Sequence, residues 1–429
     1  MDCLATATEE TKERIMKNDP MINGILSGMR IVEGSAFIAA PLGGMTLAQM
    51  GADVIRFDNI GGGIDAKRAP LTKDGNSIYW AGWNKGKRSI MIDLHADQGR
   101  ELVSELITSP GKDNGLFLTN LPMRGWLEYE TLRLRRDDII AISVVGSSDG
   151  RSAVDYTVNA ATGFPYINGS SSNKSPLNNP LPVWDMLAGN AAATGLLAAE
   201  RYRSRTQKGQ LIHLALTDIA FNAVANSGIT AEIQINGNER TNNGNDIYGA
   251  YGHDFETADG RRVMVVAITN RMWGKLLEAT NLNLIFNEFS KKKNIDLANE
   301  QVRYDWRKQI TKILAPWFQK YKLKEIATKL TEHGVCWETF QTFSQMIAED
   351  PRFSEKNAMF EKLYQPGIGS YLAPGSPLNF TAHERLPVRP APILGQHTNE
   401  ILADVLGLPD HTIAKLHDDG IVADAIHTE

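Results

Sequence analysis

Asp185 is the residue whose type and setting most directly permit chemistry. It stands in Pro182-Val183-Trp184-Asp185-Met186, between a Ser/Asn/Pro-rich stretch (170–182) and a run of small residues that includes Ala188, Gly189, Ala191, Ala192, Ala193 and Gly195. That run reads as a helix able to approach neighbouring backbone closely. A carboxylate at such a helix start has two readings. Asp is a favoured N-cap, accepting hydrogen bonds from first-turn amides. It is also a competent nucleophile toward an acyl group, forming a covalent aspartyl intermediate. Spacing alone leaves both open.

Other chemistries fare worse. A dinucleotide site needs Gly-x-Gly-x-x-Gly between the first strand and helix, with an acid closing strand two. Asp58 stands where that acid would, but the turn reads Gly34-Ser35-Ala36-Phe37-Ile38-Ala39-Ala40-Pro41 and lacks the glycines. Gly61-Gly62-Gly63 is no P-loop, because no Gly-Lys-Ser/Thr follows. The nine histidines form neither His-x-His nor His-Glu-x-x-His, so no metal site is expected. Gly146-Ser147-Ser148-Asp149-Gly150 matches Gly-x-Ser-x-Gly, yet Asp149-Gly150-Arg151 reads as an open turn where a nucleophile elbow needs an immediate helix. Asn84-Lys85-Gly86-Lys87-Arg88 is a basic cluster before a strand. It is either a solvated surface or charge for an anionic ligand.

The elements that must position Asp185 follow from periodicity. Arg30–Gly34 reads as a strand, Ala39–Met50 as a helix opened by Pro41, and Ala52–Asp58 as a second strand, which together make a βαβ unit. Lys87–Leu94, Gly115–Asn120 and Ile139–Val145 read as further buried strands, with an amphipathic helix over Gln98–Thr108. This succession places a doubly wound α/β domain at the front of the chain. Asn236–Gly249 is an Asn/Gly loop, after which Tyr251–Thr257 and Arg262–Ile268 flank the hairpin signal Ala258-Asp259-Gly260. The expected organisation is an extension at 1–20, a large domain from 21 to 235, a smaller α+β domain from 236 to 334, and a return to the large domain from 335 to 429 with two terminal helices.

The chain has 429 residues, 22% of them charged, and a net charge of -5. That composition is globular, excludes a polyanion-tracking surface and so argues against nucleic acid as a partner. No apolar run is long enough to span a bilayer, so no membrane partner is expected. Cys3 and Cys336 make no disulfide framework, which points to a reducing, cytoplasmic setting. Residues 1–20 read as a flexible extension, or as sequence upstream of a true start near Met21.

Four motifs in order resemble the family III CoA-transferases, the group of formyl-CoA, carnitine-CoA and bile-acid-CoA transferases. They are Gly51–Arg56, Asn84–Leu94, Gly189–Gln210 (with Gln207 replacing the first glycine of the family's Thr-Gly-x-Gly-Gln) and Ala391–Thr398. The resemblance runs from about Met21 to Val422. Within the family, Glu33–Asp58 and Gln365–Phe380 most resemble the members that move CoA between the two carboxyl groups of 2-methylfumarate (mesaconate). The resemblance implies a Rossmann-like large domain without a dinucleotide fingerprint, and an interlocked homodimer. It implies a small-molecule acyl-CoA substrate and no cofactor beyond that substrate's CoA moiety. The family's nucleophilic Asp falls on Asp185. Its CoA-binding positions fall on Ala39 and Ala40, on Ile92, Asp93, Leu94 and His95, and on Asn120, Leu121 and Pro122.

Some positions depart from the family. Val145 and Glu128 stand where formyl-CoA transferase has Lys and Arg, so Arg124 and the cluster Lys85–Arg88 are candidate substitutes toward the CoA phosphates. Val154 stands where the family's racemases carry the His of a Gly-His-Asp motif, and a valine cannot move protons. The expected reaction is intramolecular CoA transfer through an aspartyl intermediate. The alternatives are intermolecular CoA transfer, racemisation and non-catalytic CoA-ester binding. The loop Asn236–Gly249 is a candidate lid.

Overall fold

A computed structural model describes residues 24–169 and 175–425 of the chain. The extension at 1–20, Cys3 within it, and residues 170–174 of the Ser/Asn/Pro stretch lie outside the described residues. The chain divides into two compact units. One comprises residues up to Ala161, Leu181–Thr230 and Pro351 onward; the other comprises Thr162–Pro180 and Ala231–Asp350.

The larger unit is built on six parallel strands: β1 (Arg30–Gly34), β2 (Asp53–Asp58), β3 (Arg88–Ile92), β4 (Leu116–Thr119), β5 (Ile140–Val145) and β6 (Gln210–Ala215). Their order across the sheet is β3-β2-β1-β4-β5-β6, with a short antiparallel strand, Val422–Ala423, outside β3. β4 and β5 read as largely apolar runs because both faces are covered, as parallel sheets require, while β1, β2 and β3 mix apolar with polar and charged residues. Ile31, Ile55, Ile90, Leu116 and Phe117 are fully buried. Five helices carry the rest of the argument: α1 (Ala39–Ala48), α2 (Ile78–Trp83), α3 (Asp97–Ile107), α4 (Asp155–Ala160) and α5 (Val183–Thr206). On one face α3 and the helices Thr398–Asp404 and Asp410–Asp418 bury Val103, Leu106, Ile401 and Leu416 against the strands. On the other face α1 and α5 pack on each other and α5 lies along β5.

The mixed α/β class with a large parallel sheet agrees with the sequence, and most strands fall within a residue or two of expectation. The long helix differs. It begins at Val183, five residues before Ala188 opens the small-residue run, so Trp184 and Asp185 lie inside its first turn. At its other end Gln207 takes φ +60°, the left-handed conformation that glycine adopts most cheaply at this position. Gly209 follows because a β-carbon there would meet the Ile139 carbonyl oxygen at 2.0 Å.

In the smaller unit β7 (Tyr251–Glu256) and β8 (Arg262–Ala267) form the expected hairpin. A third strand, β9 (Cys336–Thr339), pairs antiparallel with β8. The sheet is closed by helices between Asn270 and Glu332 that bury Tyr251, Phe255, Trp273, Phe286 and Phe318. Expectation returned the chain to the large domain at 335. Pairing of Val265 with Trp337 keeps it in the smaller unit through Asp350 instead. The smaller unit also takes Thr162–Pro180, where Asn168 O accepts from the Asn242 side chain at 2.9 Å.

The Asn236–Gly249 loop is tied down within this unit. Arg240 bonds Glu232 and lies over the Tyr248 ring, Asn243 bonds the Tyr304 hydroxyl, and Arg307 bonds Asp246.

Candidate active site

The order β3-β2-β1-β4-β5-β6 reverses direction between β1 and β4. In open α/β sheets ligands bind at the carboxyl ends of strands beside that point. The chain fixes this edge with side chains rather than glycines. Asn120, just past β4, receives the Ala36 amide at 2.8 Å and returns a bond to the Ala36 carbonyl at 2.7 Å. Thr119 Oγ1 donates to Gly34 O at 2.6 Å and accepts from the Leu121 amide. Phe37 adopts φ +66° with its amide bonded to Asp65 Oδ2 at 2.9 Å. The turn so braced delivers Ala39 and Ala40 as the first two residues of α1. Among the described residues no side chain caps α1; Pro41 has no amide hydrogen and the Leu42 amide bonds Ile38 O, so the Ala39 and Ala40 amides are the ones left for an acceptor.

Each predicted CoA-binding position can now be placed. Ala39, Ala40, Asn120, Leu121 and Pro122 come together at the switch point. The Asn120 side chain is spent on Ala36, so this residue shapes the edge rather than offering a free amide. Ile92, Asp93, Leu94 and His95 lie at the end of β3, two strand spacings from β1, or about 10 Å. There Asp93 accepts from the His95 amide and Asn59, from the end of β2, accepts from the Leu94 amide. Ile92 is fully buried and His95 is exposed. Beside the ends of β2 and β3 is a cavity of about 390 Å³ lined in part by Gly61, Ala66, Trp80, Met91, Ile368 and Leu394, and by none of the predicted CoA-binding positions.

Asp185 reaches this edge through α5. The seam between α5 and α1 is backbone against backbone. A β-carbon on Gly189 would stand 2.7 Å from Ala39 O and 2.9 Å from Leu42 Cβ, and one on Gly43 would stand 3.1 Å from Gly189 O. The small-residue run is thus the device that brings Asp185 up to the first turn of α1. Gly189→Ala is expected to lower kcat/KM toward an acyl-CoA by about tenfold to a hundredfold, because even 1 Å of misplacement is costly. Unchanged kinetics in a folded variant would mean that the seam does not set the site.

The N-cap reading of Asp185 is overturned. Pro182 is the N-cap position and carries no capping group; Asp185 is the third helical residue. The cap comes from outside the helix. Asp155, the first residue of α4, accepts from the Trp184 amide at 2.7 Å and the Asp185 amide at 3.0 Å through one oxygen. One turn along α4, Asn159 accepts from the Trp184 indole at 3.0 Å. The Asp185 carboxylate is left half-buried, and among the described residues nothing donates a hydrogen bond to it. Burial first, and then the Asp155 charge, push it up to about 7. Tyr79 of α2 feels the Asp185 charge in turn; burial chiefly pushes its phenol up to about 12. Sequence reasoning singled out neither Asp155 nor Tyr79. The signal for Asp155 was a carboxylate following Val154 at a helix start.

The basic cluster is also corrected. Lys87 is buried and donates to Glu33 at 2.7 Å, to Pro41 O and to Asn84. Lys85 is buried on Gly82 O, and Arg88 holds Asp53 and Glu400. Lys85 and Lys87 brace the sheet out of reach of a phosphate, and the Arg88 side chain, 16% exposed, is spent on its two carboxylates. Arg124 is exposed just past Pro122 and remains a candidate. The Gly146–Gly150 segment is an open turn, with Ser147 bonded to Asp149 and no helix before Asp155.

The sequence profile of CoA-transferase family III matches residues 26–398. The chain belongs to that family. It is 51% identical to 2-methylfumaryl-CoA isomerase of Chloroflexus aurantiacus over 403 residues, 94% of this chain and 98% of that one. It is 27% identical to succinyl-CoA:mesaconate CoA-transferase of Haloarcula hispanica over 88% of this chain and 96% of the other. Its fold resembles the crystal structure of a CAIB/BAIF family protein from Brucella suis, with a TM-score of 0.71 at 24% identity over 89% of this chain and all of that one. Family III membership makes the chain a CoA-transferase-type enzyme. No helix among the described residues is long and apolar enough to cross a membrane.

Proposed function

We propose that this family III enzyme moves CoA from one carboxyl group of 2-methylfumarate to the other, through covalent intermediates on Asp185. The observation that carries the reading is a carboxylate free of donors, raised to about 7, in a helix packed backbone-to-backbone on the first turn of α1. A carboxylate of that basicity is ionised in good part at neutral pH and is a stronger nucleophile than an ordinary aspartate.

An Asp185 oxygen attacks the thioester carbonyl, the C–S bond breaks, and CoA thiolate leaves behind a mixed anhydride. The thiolate attacks the Asp185 side-chain carbonyl; the anhydride C–O bond breaks, giving an aspartyl-CoA thioester and the free diacid. The diacid presents its other carboxylate to that thioester, and the thiolate departs again. Its return to the second anhydride yields the isomeric CoA ester and restores Asp185. Every step is acyl transfer, so donors aimed at the tetrahedral oxyanions should dominate the rate. The unspent amides at the start of α1 suit that task.

In this reading Ala39, Ala40, the Ile92–His95 segment and the Asn120–Pro122 segment line the CoA path, and Arg124 meets a phosphate. No cofactor beyond the substrate's own CoA is invoked, and the enzyme acts in the cytoplasm as a homodimer.

A second reading, intermolecular transfer, draws on the likeness to the mesaconate transferase. Labelled free mesaconate separates the two. Incubated with enzyme and unlabelled 2-methylfumaryl-CoA, it should leave the thioester pool almost unlabelled while the 1- and 4-CoA isomers equilibrate. Label entering the thioester as fast as the isomers interconvert would establish the intermolecular route.

A further inference from the structure

We infer that Asp155 is a positioning residue for acyl transfer: its carboxylate holds the first turn of α5 by the Trp184 and Asp185 amides and so fixes where the Asp185 carboxylate stands. The inference rests on the reading of Asp185 as nucleophile.

The geometry carries it. A helix start leaves amides without intrahelical partners, and here the residue at the capping position is a proline with no group to offer. Asp155, 29 and 30 residues earlier in the chain, supplies the acceptor for both amides. It is only 2% exposed, which makes a charge-assisted bond to backbone amides strong and its loss costly. Asn159 on the same face of α4 holds the Trp184 ring, so the residue before Asp185 is clamped by both backbone and side chain. With its own amide also held, Asp185 keeps only its side-chain torsions.

The same carboxylate places a negative charge beside the nucleophile. Asp155 from α4 is the charge that raises Asp185; the Tyr79 phenol of α2, itself pushed up to about 12 chiefly by burial, stays neutral beside it. Neither α1 nor β5, which pack along α5, carries a charged residue. Of the other neighbours, β6 contributes His213, and the helix Leu216–Asn226 contributes Asp218, which is bonded to Ser148. Asp155 therefore acts in two separable ways, as an acceptor that orients and as a charge that makes Asp185 more basic.

The test uses the full-length enzyme with 2-methylfumaryl-CoA. Rapid quench and mass spectrometry of the Asp185 peptide measure formation of the covalent adduct. Asp155→Ala should slow adduct formation about a hundredfold while acyl-CoA binding changes less than about threefold. Asp155→Asn keeps an oxygen for the two amides, and stands in for the alanine variant should that fail to fold. It should restore the rate to within about tenfold of wild type and move the acidic limb of the kcat/KM profile to lower pH, because the neighbouring charge is gone. A merely structural residue would not move that limb. Adduct formation at the wild-type rate in Asp155→Ala overturns the inference, as does an Asp155→Asn enzyme with an unshifted limb. Absence of any adduct on Asp185 in the wild type is a different result, which removes the nucleophile reading itself and the inference with it.

Discussion

Asp185→Asn is expected to abolish CoA transfer and, at alkaline pH, to make the protein more stable. The asparagine side chain has nearly the same shape, so acyl-CoA should bind within about threefold of wild type while kcat falls by about ten-thousandfold or more, as losses of a covalent nucleophile do. The stability gain comes from proton linkage. In the folded protein burial holds the Asp185 carboxyl up at about 7, against an ordinary 3.8. The folded state thus keeps a proton that the unfolded chain releases. Its stabilising effect is complete below the unfolded value and is lost as pH rises through about 7. At pH 8 the wild type carries a poorly solvated charge that the amide variant lacks, worth about 2–4 kcal/mol by linkage. Thermal unfolding should therefore show the variant melting several degrees higher at pH 8, with the gap narrowing as pH falls and closing only below the unfolded value of about 4. Equal melting temperatures at pH 8 would contradict the burial argument. Full activity in the variant would refute the nucleophile.

The difference between what the sequence displays and what it hides follows range. Strands such as Ile140–Val145 announce themselves because burial on both faces demands an uninterrupted apolar run, and that is local information. That α5 would approach neighbouring backbone closely was legible too, since Ala188, Gly189 and Ala191–Ala193 have little other reason to cluster; that its partner is α1 was not. What stayed hidden depends on partners far along the chain. Asp185, three residues after a proline, looks like a cap until Asp155, thirty positions earlier, is seen to occupy that role. Lys85–Arg88 looks like a solvated basic patch until Glu33, Asn84 and Asp53 close around it. The strand Cys336–Thr339 lies past a helical stretch and carries little alternation; its place in the smaller unit is decided by β8. Asn120 could be placed at a strand end from sequence. That its amide group is consumed by Ala36 could not.

Lys87→Met should be the most destabilising single change beneath the site, and pairing it with Glu33→Met should undo most of the damage. Beneath the β1–α1 turn, three carboxylates (Glu33, Asp58 and Asp65) face two cations (Arg56 and Lys87), all of them nearly inaccessible to water. Arg56 holds Asp58 and Asp65 and stacks on Trp80; Lys87 holds Glu33 at 2.7 Å. Burial pushes the Lys87 ammonium down to about 8 even with Glu33 beside it, so desolvation outweighs the partner's attraction. Such a pair adds little net stability, whereas removing one member strands the other and costs about 3–5 kcal/mol. Glu33 is poorly placed to bear it, since its Oε2 already has no hydrogen-bond partner among the described residues. Replacing both members with apolar side chains removes both desolvation costs, and similar exchanges elsewhere come out about neutral. Denaturant titration of the single and double variants gives the coupling directly. Additive losses would mean the two side chains act independently, contrary to the geometry. The pair also bears on function. Glu33 leads into the turn that carries Ala39 and Ala40, and Lys87 Nζ bonds Pro41 O within α1. In the single variant kcat/KM should fall beyond what lost folded enzyme explains, because the charge left under the turn displaces the amides proposed to meet the oxyanion.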